Sequence, residues 1–278
     1  MANILIIGCG AIGTALANVL ISQGHRVTAV RRNPPASNGD IHYLRANINS
    51  RSDLEKVETD FDQLIFIVSA DGRTEQSYRD VYETGLHNVL AKFASVPWIF
   101  VSSTSVYGQT QGEWVDEESV AQPDSLSSQL IRQAELRVTA INPQNIVLRF
   151  SGIYGRGREY LLNRVKQQPA IQQNPPYYTN RIHQEDCVQV LAFLLEKKLA
   201  GTALAQYYLA SDDDPAPMYE VMNWLAEQLK IPKPTINPVA SDSSMNKRCN
   251  NQRLKALGYR FSYPGYQDGY AKLIRGTD

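Results

Sequence analysis

The sequence predicts an α/β fold: a doubly wound parallel sheet with a smaller C-terminal lobe. Short apolar runs recur along the first 150 residues without alternating polar side chains, as is typical of parallel strands covered on both faces. Segments with helical spacing lie between these runs. Beyond residue 150, Gly, Pro, Tyr and Gln accumulate up to residue 180. We therefore expect a domain over residues 1–150 and a lobe over residues 151–278, parts of which return to the first domain.

The first element is a strand at residues 4–7, which stops at a glycine turn. Apolar residues then recur at helical spacing over residues 12–20, and Gly24 ends that helix. A second strand follows at residues 26–30. Together these segments make a β-α-β unit of about 30 residues, the size expected for a right-handed parallel crossover.

The same alternation continues along the chain. Further strands are predicted at residues 64–68, 98–101 and 146–148, and helices at 78–93 and 127–141. In the lobe we expect a helix at 186–196, a strand at 207–209 and a helix at 218–229. This lobe is expected to lie over the carboxyl ends of the strands, where α/β folds bind ligands.

The composition argues against several classes of protein. The 28 basic and 28 acidic residues give a net charge of +0, which favours neither nucleic acid nor an anionic membrane as a partner. No apolar run approaches the roughly 20 residues of a membrane helix, and the N-terminus lacks the features of a secretory signal. Cys9, Cys187 and Cys249 are far apart and odd in number, which suits a reducing compartment. We expect a cytoplasmic protein with a small-molecule ligand and no metal.

The glycine turn Gly8-Cys9-Gly10-Ala11-Ile12-Gly13 is a Rossmann fingerprint in its proper context, after a strand and at the start of a helix. Gly8 permits the tight turn, Gly10 lets the backbone approach a pyrophosphate, and Gly13 lets helix and strand pack closely. The amides of the helix N-terminus then face the phosphates. The predicted contacts of a dinucleotide are Gly8, Gly10, Ala11, Ile12 and Gly13, together with Ser69 and Ala70 at the end of the strand at 64–68.

The end of the second strand indicates which dinucleotide is bound. An NAD site usually presents an acidic residue there, which accepts a hydrogen bond from the ribose 2′-hydroxyl. Here the strand ends at Arg31 and Arg32, and no carboxylate follows until Asp40. Two guanidinium groups suit a 2′-phosphate, so the sequence favours NADP, with NAD as the alternative. The competing interpretation is that both arginines are solvated loop charges.

Five further stretches carry recognisable motifs: residues 82–90, 101–108, 112–117, 148–158 and 181–186. In this order they resemble the helix after the fourth strand, the fifth-strand motif, the acidic loop after it, the sixth strand with its substrate loop, and the segment leading into the helix at 186–196. The proteins that they resemble are the extended short-chain dehydrogenase/reductase superfamily, in particular the NAD-dependent epimerase/dehydratase family that acts on nucleotide sugars. The resemblance covers nearly the whole chain and implies an oxidoreductase or epimerase.

The chain departs from this family at the catalytic pair. Active members carry Tyr-x-x-x-Lys on the helix after the fifth strand, where the tyrosine exchanges a proton with the substrate and the lysine supports it. Aligning Ala134 and Glu135 with the family's Ala-Glu places Ser127 at the tyrosine position and Ile131 at the lysine position. A serine hydroxyl is too weak an acid for this role, and isoleucine supplies no charge. The pattern resembles atypical members that lack the pair.

The resemblance also implies residues for the substrate. Ser103 stands at the position of the family's substrate-orienting serine and is the candidate catalytic residue, although its hydroxyl could instead cap the strand end. The candidate substrate contacts are Ser103, Thr104, Tyr154, Arg158 and Arg181. Tyr154, Tyr177 and Tyr178 are candidate proton donors. Tyr107 and His183 are interpreted as structural, Asp186 as a helix cap, and Asp212, Asp213 and Asp214 as a loop rather than a metal site.

Two functions therefore remain open. The first is an NAD(P)-dependent enzyme of the epimerase/dehydratase type that acts by hydride transfer with a non-standard proton donor. It would take a small hydroxyl or carbonyl compound or a nucleotide sugar. The second is a non-catalytic dinucleotide-binding sensor or regulatory protein. Because dimers are common in this family, a homodimer through the helix at 127–141 is also expected.

Overall fold

The computed structural model describes residues 1–36, 39–237 and 245–276. The strands are β1 (Asn3–Ile7), β2 (Arg26–Arg31), β3 (His42–Arg45), β4 (Gln63–Phe66), β5 (Trp98–Ser103), β6 (Glu113–Val115), β7 (Ile146–Phe150), β8 (Gly152–Tyr154), β9 (Ile171–Gln172), β10 (Tyr178–Thr179), β11 (Arg181–His183), β12 (Tyr207–Ala210), β13 (Ala216–Pro217), β14 (Ile236–Asn237) and β15 (Lys247–Cys249). The helices are α1 (Ala11–Ser22), α2 (Arg51–Glu55), α3 (Glu75–Arg79), α4 (Leu86–Phe93), α5 (Leu126–Ile141), α6 (Tyr160–Lys166), α7 (Gln184–Leu199), α8 (Met218–Gln228), α9 (Gln252–Ala256) and α10 (Tyr266–Arg275).

The central sheet has seven strands in the order β12-β7-β5-β4-β1-β2-β3. From β1 the chain winds outward through β2 to β3, and from β4 it winds outward in the other direction. The neighbours β3, β2, β1, β4 and β5 pair in parallel, with Ile7 opposite both Val30 and Phe66. The predicted doubly wound α/β fold is confirmed. The order reverses between β1 and β4, and in such sheets ligands bind at that point, outside the carboxyl ends of the strands.

Burial explains why the apolar runs form central strands. Ile4 to Ile7 of β1 are at most 1% exposed, and β4 and β7 are buried along their whole length. Helix α1 covers the sheet with Ile12, Leu16 and Leu20. The edge strand β3 was not predicted, because its sequence His42–Arg45 has half-buried and exposed side chains rather than an apolar run.

The helix predicted at 78–93 is longer and irregular. It begins at Glu75, where the Thr74 side chain accepts a hydrogen bond from the Ser77 amide, and it passes through a π-helical segment, Asp80–Gly85, before α4. The π-helical segment packs closely on the loop after β3, since a Cβ on Gly85 would lie 2.4 Å from Cδ1 of Ile48. π-Helical turns are rare overall, but those that occur often lie near functional sites.

The chain divides into two compact units, each made of three segments. Unit 1 contains residues 1–106, 122–149 and 188–208, and unit 2 contains residues 107–121, 150–187 and 209–278. The predicted boundary near residue 150 coincides with one of these divisions, but segment 188–208 belongs to unit 1 and segment 107–121 to unit 2. Unit 2 has its own core, in which α6, α8 and α10 contribute Leu162, Val165, Leu225 and Tyr270.

Candidate functional site

A cleft of about 460 Å³ opens in unit 1 at the carboxyl ends of β1, β2 and β4. It lies at the position where the strand order reverses. Its lining residues are Ile7, Gly8, Cys9, Gly10, Val30, Arg31, Arg32, Ala46, Asn47, Ile48, Asn49, Ile67, Val68, Ser69, Asp71, Thr74, Gln76, Ser77, Asp80 and Val81. The size and the mixture of apolar and polar groups suit a nucleotide.

The glycine turn forms one wall of this cleft. Gly8 has φ +93°, and a Cβ there would lie 2.2 Å from the carbonyl oxygen of Ile67, so only glycine fits. A Cβ on Gly13 would lie 3.0 Å from the Gly8 carbonyl oxygen, which reflects the close packing of helix on turn. A Cβ on Gly10 would meet no atom within 4 Å. The open space at Gly10 is where a pyrophosphate could approach the backbone.

The N-terminus of α1 offers amide groups at the same place. Gly10 is its N-cap, no side chain caps it, and its first turn has no acidic residue. The amides of a helix's first turn lack partners within the helix, and together with the helix dipole they favour an anion. The turn and helix therefore fit the phosphates of a dinucleotide.

Arg31 and Arg32, at the end of β2, both line the cleft, and their contact with a dinucleotide stays a prediction. Nη1 of Arg31 donates to the Cys9 carbonyl oxygen at 3.3 Å, so this side chain lies beside the glycine turn. Nη1 of Arg32 lies 2.5 Å from Oδ2 of Asp71, and both side chains are more than half exposed. This hydrogen bond lowers the pKa of Asp71, whose carboxyl group is therefore ionised at neutral pH.

Of the other predicted cofactor residues, Ser69 lines the cleft. Ala11, Ile12, Gly13 and Ala70 are not among its lining residues, and Ile12 and Gly13 are buried behind the turn. Their contact with a dinucleotide stays a prediction.

Sequence reasoning missed the residues that loops bring to the cleft. Asn47 and Ile48 follow the unpredicted strand β3, and the Asn88 side chain holds this loop by donating to the Ile48 carbonyl oxygen at 3.0 Å. Tyr43 of β3 lies behind the turn, with its hydroxyl 3.2 Å from Oγ1 of Thr14. Asp71 was missed as well, although it follows the strand at 64–68 closely enough to have been considered.

Ser103 ends β5 and is half-buried. Its Oγ accepts a hydrogen bond from the Ser105 amide at 3.1 Å, so the hydroxyl does cap the end of the strand. The hydroxyl hydrogen can still be donated to a substrate oxygen, since a hydroxyl both accepts and donates. Thr104 is only 7% exposed, which leaves little of its side chain for a ligand.

Ser127 and Ile131 lie one turn apart near the start of α5. Oγ of Ser127 lies 3.3 Å from Oγ of Ser125, which caps the helix, and Ile131 is buried. Neither side chain can act as a proton donor near neutral pH. Their assignment to the positions of the family's catalytic pair rests on the sequence alignment.

In unit 2, Tyr154 and Arg181 are buried, each 3% exposed. The Tyr154 ring stacks on Tyr270 at 4.5 Å, and burial raises the pKa of its phenol, which makes it a poorer proton donor. The Arg181 guanidinium donates to the Thr179 hydroxyl and to the Asp214 carbonyl oxygen. These contacts favour structural roles over the substrate contacts predicted for both residues.

Other residues singled out in unit 2 also have internal partners. The Tyr107 hydroxyl donates to the Asp116 carbonyl oxygen at 2.6 Å, as expected of a structural tyrosine. Asp186 lies in the first turn of α7, but its carboxylate accepts from the Tyr259 hydroxyl and the Ser262 amide rather than capping the helix. Arg158 is exposed, so its predicted role as a substrate contact stays open.

Tyr178 packs against another basic side chain. The Arg248 guanidinium lies 4.8 Å from the centre of the Tyr178 ring and 4.9 Å from that of Trp114. His183 is buried beside Tyr263, with 3.9 Å between the ring centres.

Within residues 1–36, 39–237 and 245–276, no group of three or more His, Cys, Asp or Glu side chains is arranged to hold a metal ion. None of the described helices is long and apolar enough to cross a membrane.

Comparisons with known proteins found a matching family model and similar solved structures. The model of the NAD-dependent epimerase/dehydratase family matches residues 4–210. A Methylobacillus flagellatus structure, assigned to an NAD-dependent epimerase/dehydratase, is 31% identical, with 99% of this chain and 98% of that chain covered and a TM-score of 0.83. A conserved Silicibacter pomeroyi protein of unknown function is 26% identical, with 100% of both chains covered and a TM-score of 0.73. No curated protein matches the chain in sequence.

A more distant structure shares the fold alone. The UDP-glucose 4-epimerase of Thermus thermophilus, in complex with NAD, is 19% identical, with 99% of this chain and 100% of that chain covered and a TM-score of 0.76. The resemblance to extended short-chain dehydrogenases/reductases is confirmed by these matches. On the family match over residues 4–210, and with the glycine-turn cleft at the switch point of its sheet, the chain belongs to the NAD-dependent epimerase/dehydratase family.

Proposed function

We propose that the protein binds NADP in the unit 1 cleft and transfers a hydride to or from a small hydroxyl or carbonyl compound or a nucleotide sugar. The observation that carries the proposal is the pairing of the open glycine turn at Gly10 with Arg31 and Arg32 at the end of β2. The turn offers amides to a pyrophosphate, and the two guanidinium groups offer charge-assisted hydrogen bonds to a 2′-phosphate. The cofactor would supply the nicotinamide ring that accepts or donates the hydride.

On this proposal Ser103 orients the substrate. Its Oγ is held by the Ser105 amide, and its hydroxyl hydrogen can be donated to a substrate oxygen and polarise it. Serine cannot supply the proton itself at neutral pH, so a separate donor completes the reaction. Solved structures of similar fold include an epimerase from Thermotoga maritima with UDP-glucose, which supports nucleotide sugars as one substrate class.

A non-catalytic sensor is the second candidate, and the positions of Ser127 and Ile131 favour it. One side chain belongs to a serine cluster at the start of α5 and the other is buried, so neither transfers a proton. Incubating the protein with NADP⁺ or NADPH and a panel of ketones, aldehydes and nucleotide sugars separates the two candidates. The enzyme either oxidises NADPH with at least one compound or, where the hydride returns to the product as in an epimerase, converts a compound in the presence of NADP⁺, which NMR of the compound measures. A sensor binds the dinucleotide and leaves both it and every compound unchanged.

Replacing Arg31 by alanine is expected to weaken NADP binding about tenfold and NAD binding much less, because a charge-assisted hydrogen bond to the 2′-phosphate is lost. The measurement is calorimetric titration with each dinucleotide. Arg45→Ala is the matched control, since Arg45 is an exposed arginine at the end of β3 and is not among the cleft-lining residues. An unchanged NADP affinity in both Arg31→Ala and Arg32→Ala means that the assignment of NADP is wrong.

We also propose a homodimer through α5, on which Leu136 and Ile141 are 49% and 45% exposed. Exposed apolar side chains on a helix that otherwise packs on the sheet suit contact with a second copy of the chain. A cytoplasmic location likewise remains a proposal.

A further inference from the structure

Arg32 and Asp71 form an ion pair beside the carboxyl end of β1. Arg32 follows β2, and Asp71 follows β4. Because β1 lies between β4 and β2 in the sheet, the two loops flank the glycine turn, and the contact between Nη1 of Arg32 and Oδ2 of Asp71 joins them. Both residues line the cleft. A dinucleotide on the turn must therefore lie beside this pair.

The carboxylate of Asp71 binds the guanidinium group of Arg32, which is the group that a phosphate would bind. Carboxylate and phosphate oxygens accept hydrogen bonds from a guanidinium group in the same way, so the two anions are alternatives at one site. Arg31 differs, because the contact that the structure shows for its guanidinium is with the neutral carbonyl oxygen of Cys9. The two arginines at the end of β2 are thus unequal.

The pair is also weak enough to be exchanged. The side chains of Arg32 and Asp71 are 57% and 66% exposed, so water screens their attraction. Ion pairs of this kind contribute little to stability and are broken at small cost. The other carboxylate lining the cleft, Asp80, accepts a hydrogen bond from the Gln76 side chain at 2.7 Å and therefore has a neutral partner.

We propose that Asp71 determines cofactor selectivity by competing with the 2′-phosphate of NADP for Arg32. NAD, which has no 2′-phosphate, binds with the Arg32–Asp71 pair intact. NADP binds by taking the place of the Asp71 carboxylate, and part of its binding free energy is spent on that exchange. The ratio of NADP affinity to NAD affinity is therefore smaller than it would be if both arginines were unoccupied. This inference rests on the proposed placement of a dinucleotide in the cleft.

The test is calorimetric titration of NADP and NAD into the wild type and Asp71→Asn, Arg32→Ala and the double variant. Asp71→Asn is expected to raise the ratio of NADP affinity to NAD affinity about fivefold, the equivalent of one exposed ion pair of about 1 kcal/mol. In the Arg32→Ala background the same substitution is expected to change the ratio less than about twofold. A general repulsion between Asp71 and phosphate would act equally in both backgrounds, so the cycle isolates the competition.

Asp80→Asn is the matched control, since it removes a second carboxylate from the cleft that has no arginine partner in the described contacts. It is expected to leave the ratio within about twofold of the wild type. If both dinucleotides bind and Asp71→Asn leaves the ratio unchanged, the competition is refuted and the proposed function stands. If neither dinucleotide binds the wild type, the proposed function fails and the competition with it.

Discussion

Replacing Glu135 by alanine is expected to lower the free energy of unfolding by about 3–5 kcal/mol, because it removes the carboxylate that forms a buried ion pair with Arg149. Glu135 is 0% exposed and Arg149 is 2% exposed. The Glu135 carboxylate accepts two hydrogen bonds from Arg149, both at 2.8 Å, one from the Ser102 hydroxyl at 2.6 Å and one from Arg132 at 2.7 Å. It therefore ties α5 to β5 and β7 within unit 1. The measurement is urea denaturation followed by circular dichroism.

An exposed ion pair supplies the control. Glu75→Ala removes a carboxylate that is 54% exposed and paired with Arg79, and it is expected to cost less than about 1 kcal/mol. A double variant, Glu135→Leu with Arg149→Met, is expected to recover part of the lost stability, since apolar residues of similar volume need no counter-charge, while Ser102 and Arg132 lose the same acceptor in both variants. A loss below about 1 kcal/mol in Glu135→Ala, or a double variant less stable than it, contradicts the argument.

The parts of the fold that were predicted well are those that residues close together in the sequence determine. The strand at 4–7, the glycine turn and the helix after it follow one another within about twenty residues, so hydrophobic spacing and glycine positions were sufficient. Arg31 and Arg32 line the cleft because they end a strand of the predicted β-α-β unit, whereas their contact with a dinucleotide stays a prediction. The serine that caps α5, Ser125, lies one residue before the structured helix and two before the predicted start.

The parts that were missed depend on segments far apart in the chain. Asp71 reaches Arg32 because β4 lies next to β1, a neighbour relation that the spacing of apolar runs does not give. Unit 2 brings together residues 107–121, 150–187 and 209–278. Tyr154 and Arg181 were predicted as substrate contacts from their place in loop motifs, but the Asp214 and Tyr270 partners that bury them come from the third of these segments.

Replacing Gly10 by valine is expected to weaken the binding of both dinucleotides at least about 100-fold, or about 2.8 kcal/mol, without unfolding the protein. The backbone at Gly10 is extended, with φ −80° and ψ −155°, so it has none of the positive-φ strain that would demand glycine. A Cβ there meets no atom within 4 Å, so we expect the fold to tolerate a side chain at this position. Its methyl groups would instead fill the space that the pyrophosphate needs. Calorimetric titration with NADP and NAD measures the loss.

Gly8→Ala is the matched variant in the same turn, with the opposite expectation. Its φ of +93° and the Ile67 carbonyl oxygen 2.2 Å from a Cβ are features of the protein alone, so the substitution is expected to lower the free energy of unfolding by about 1–3 kcal/mol from backbone strain even before the overlap is counted. Unchanged binding in Gly10→Val would mean that no pyrophosphate lies over the turn. Unfolding of Gly10→Val would mean that the fold itself requires this glycine. Only a variant that folds and does not bind separates the glycine that shapes the turn from the glycine that leaves room for the cofactor.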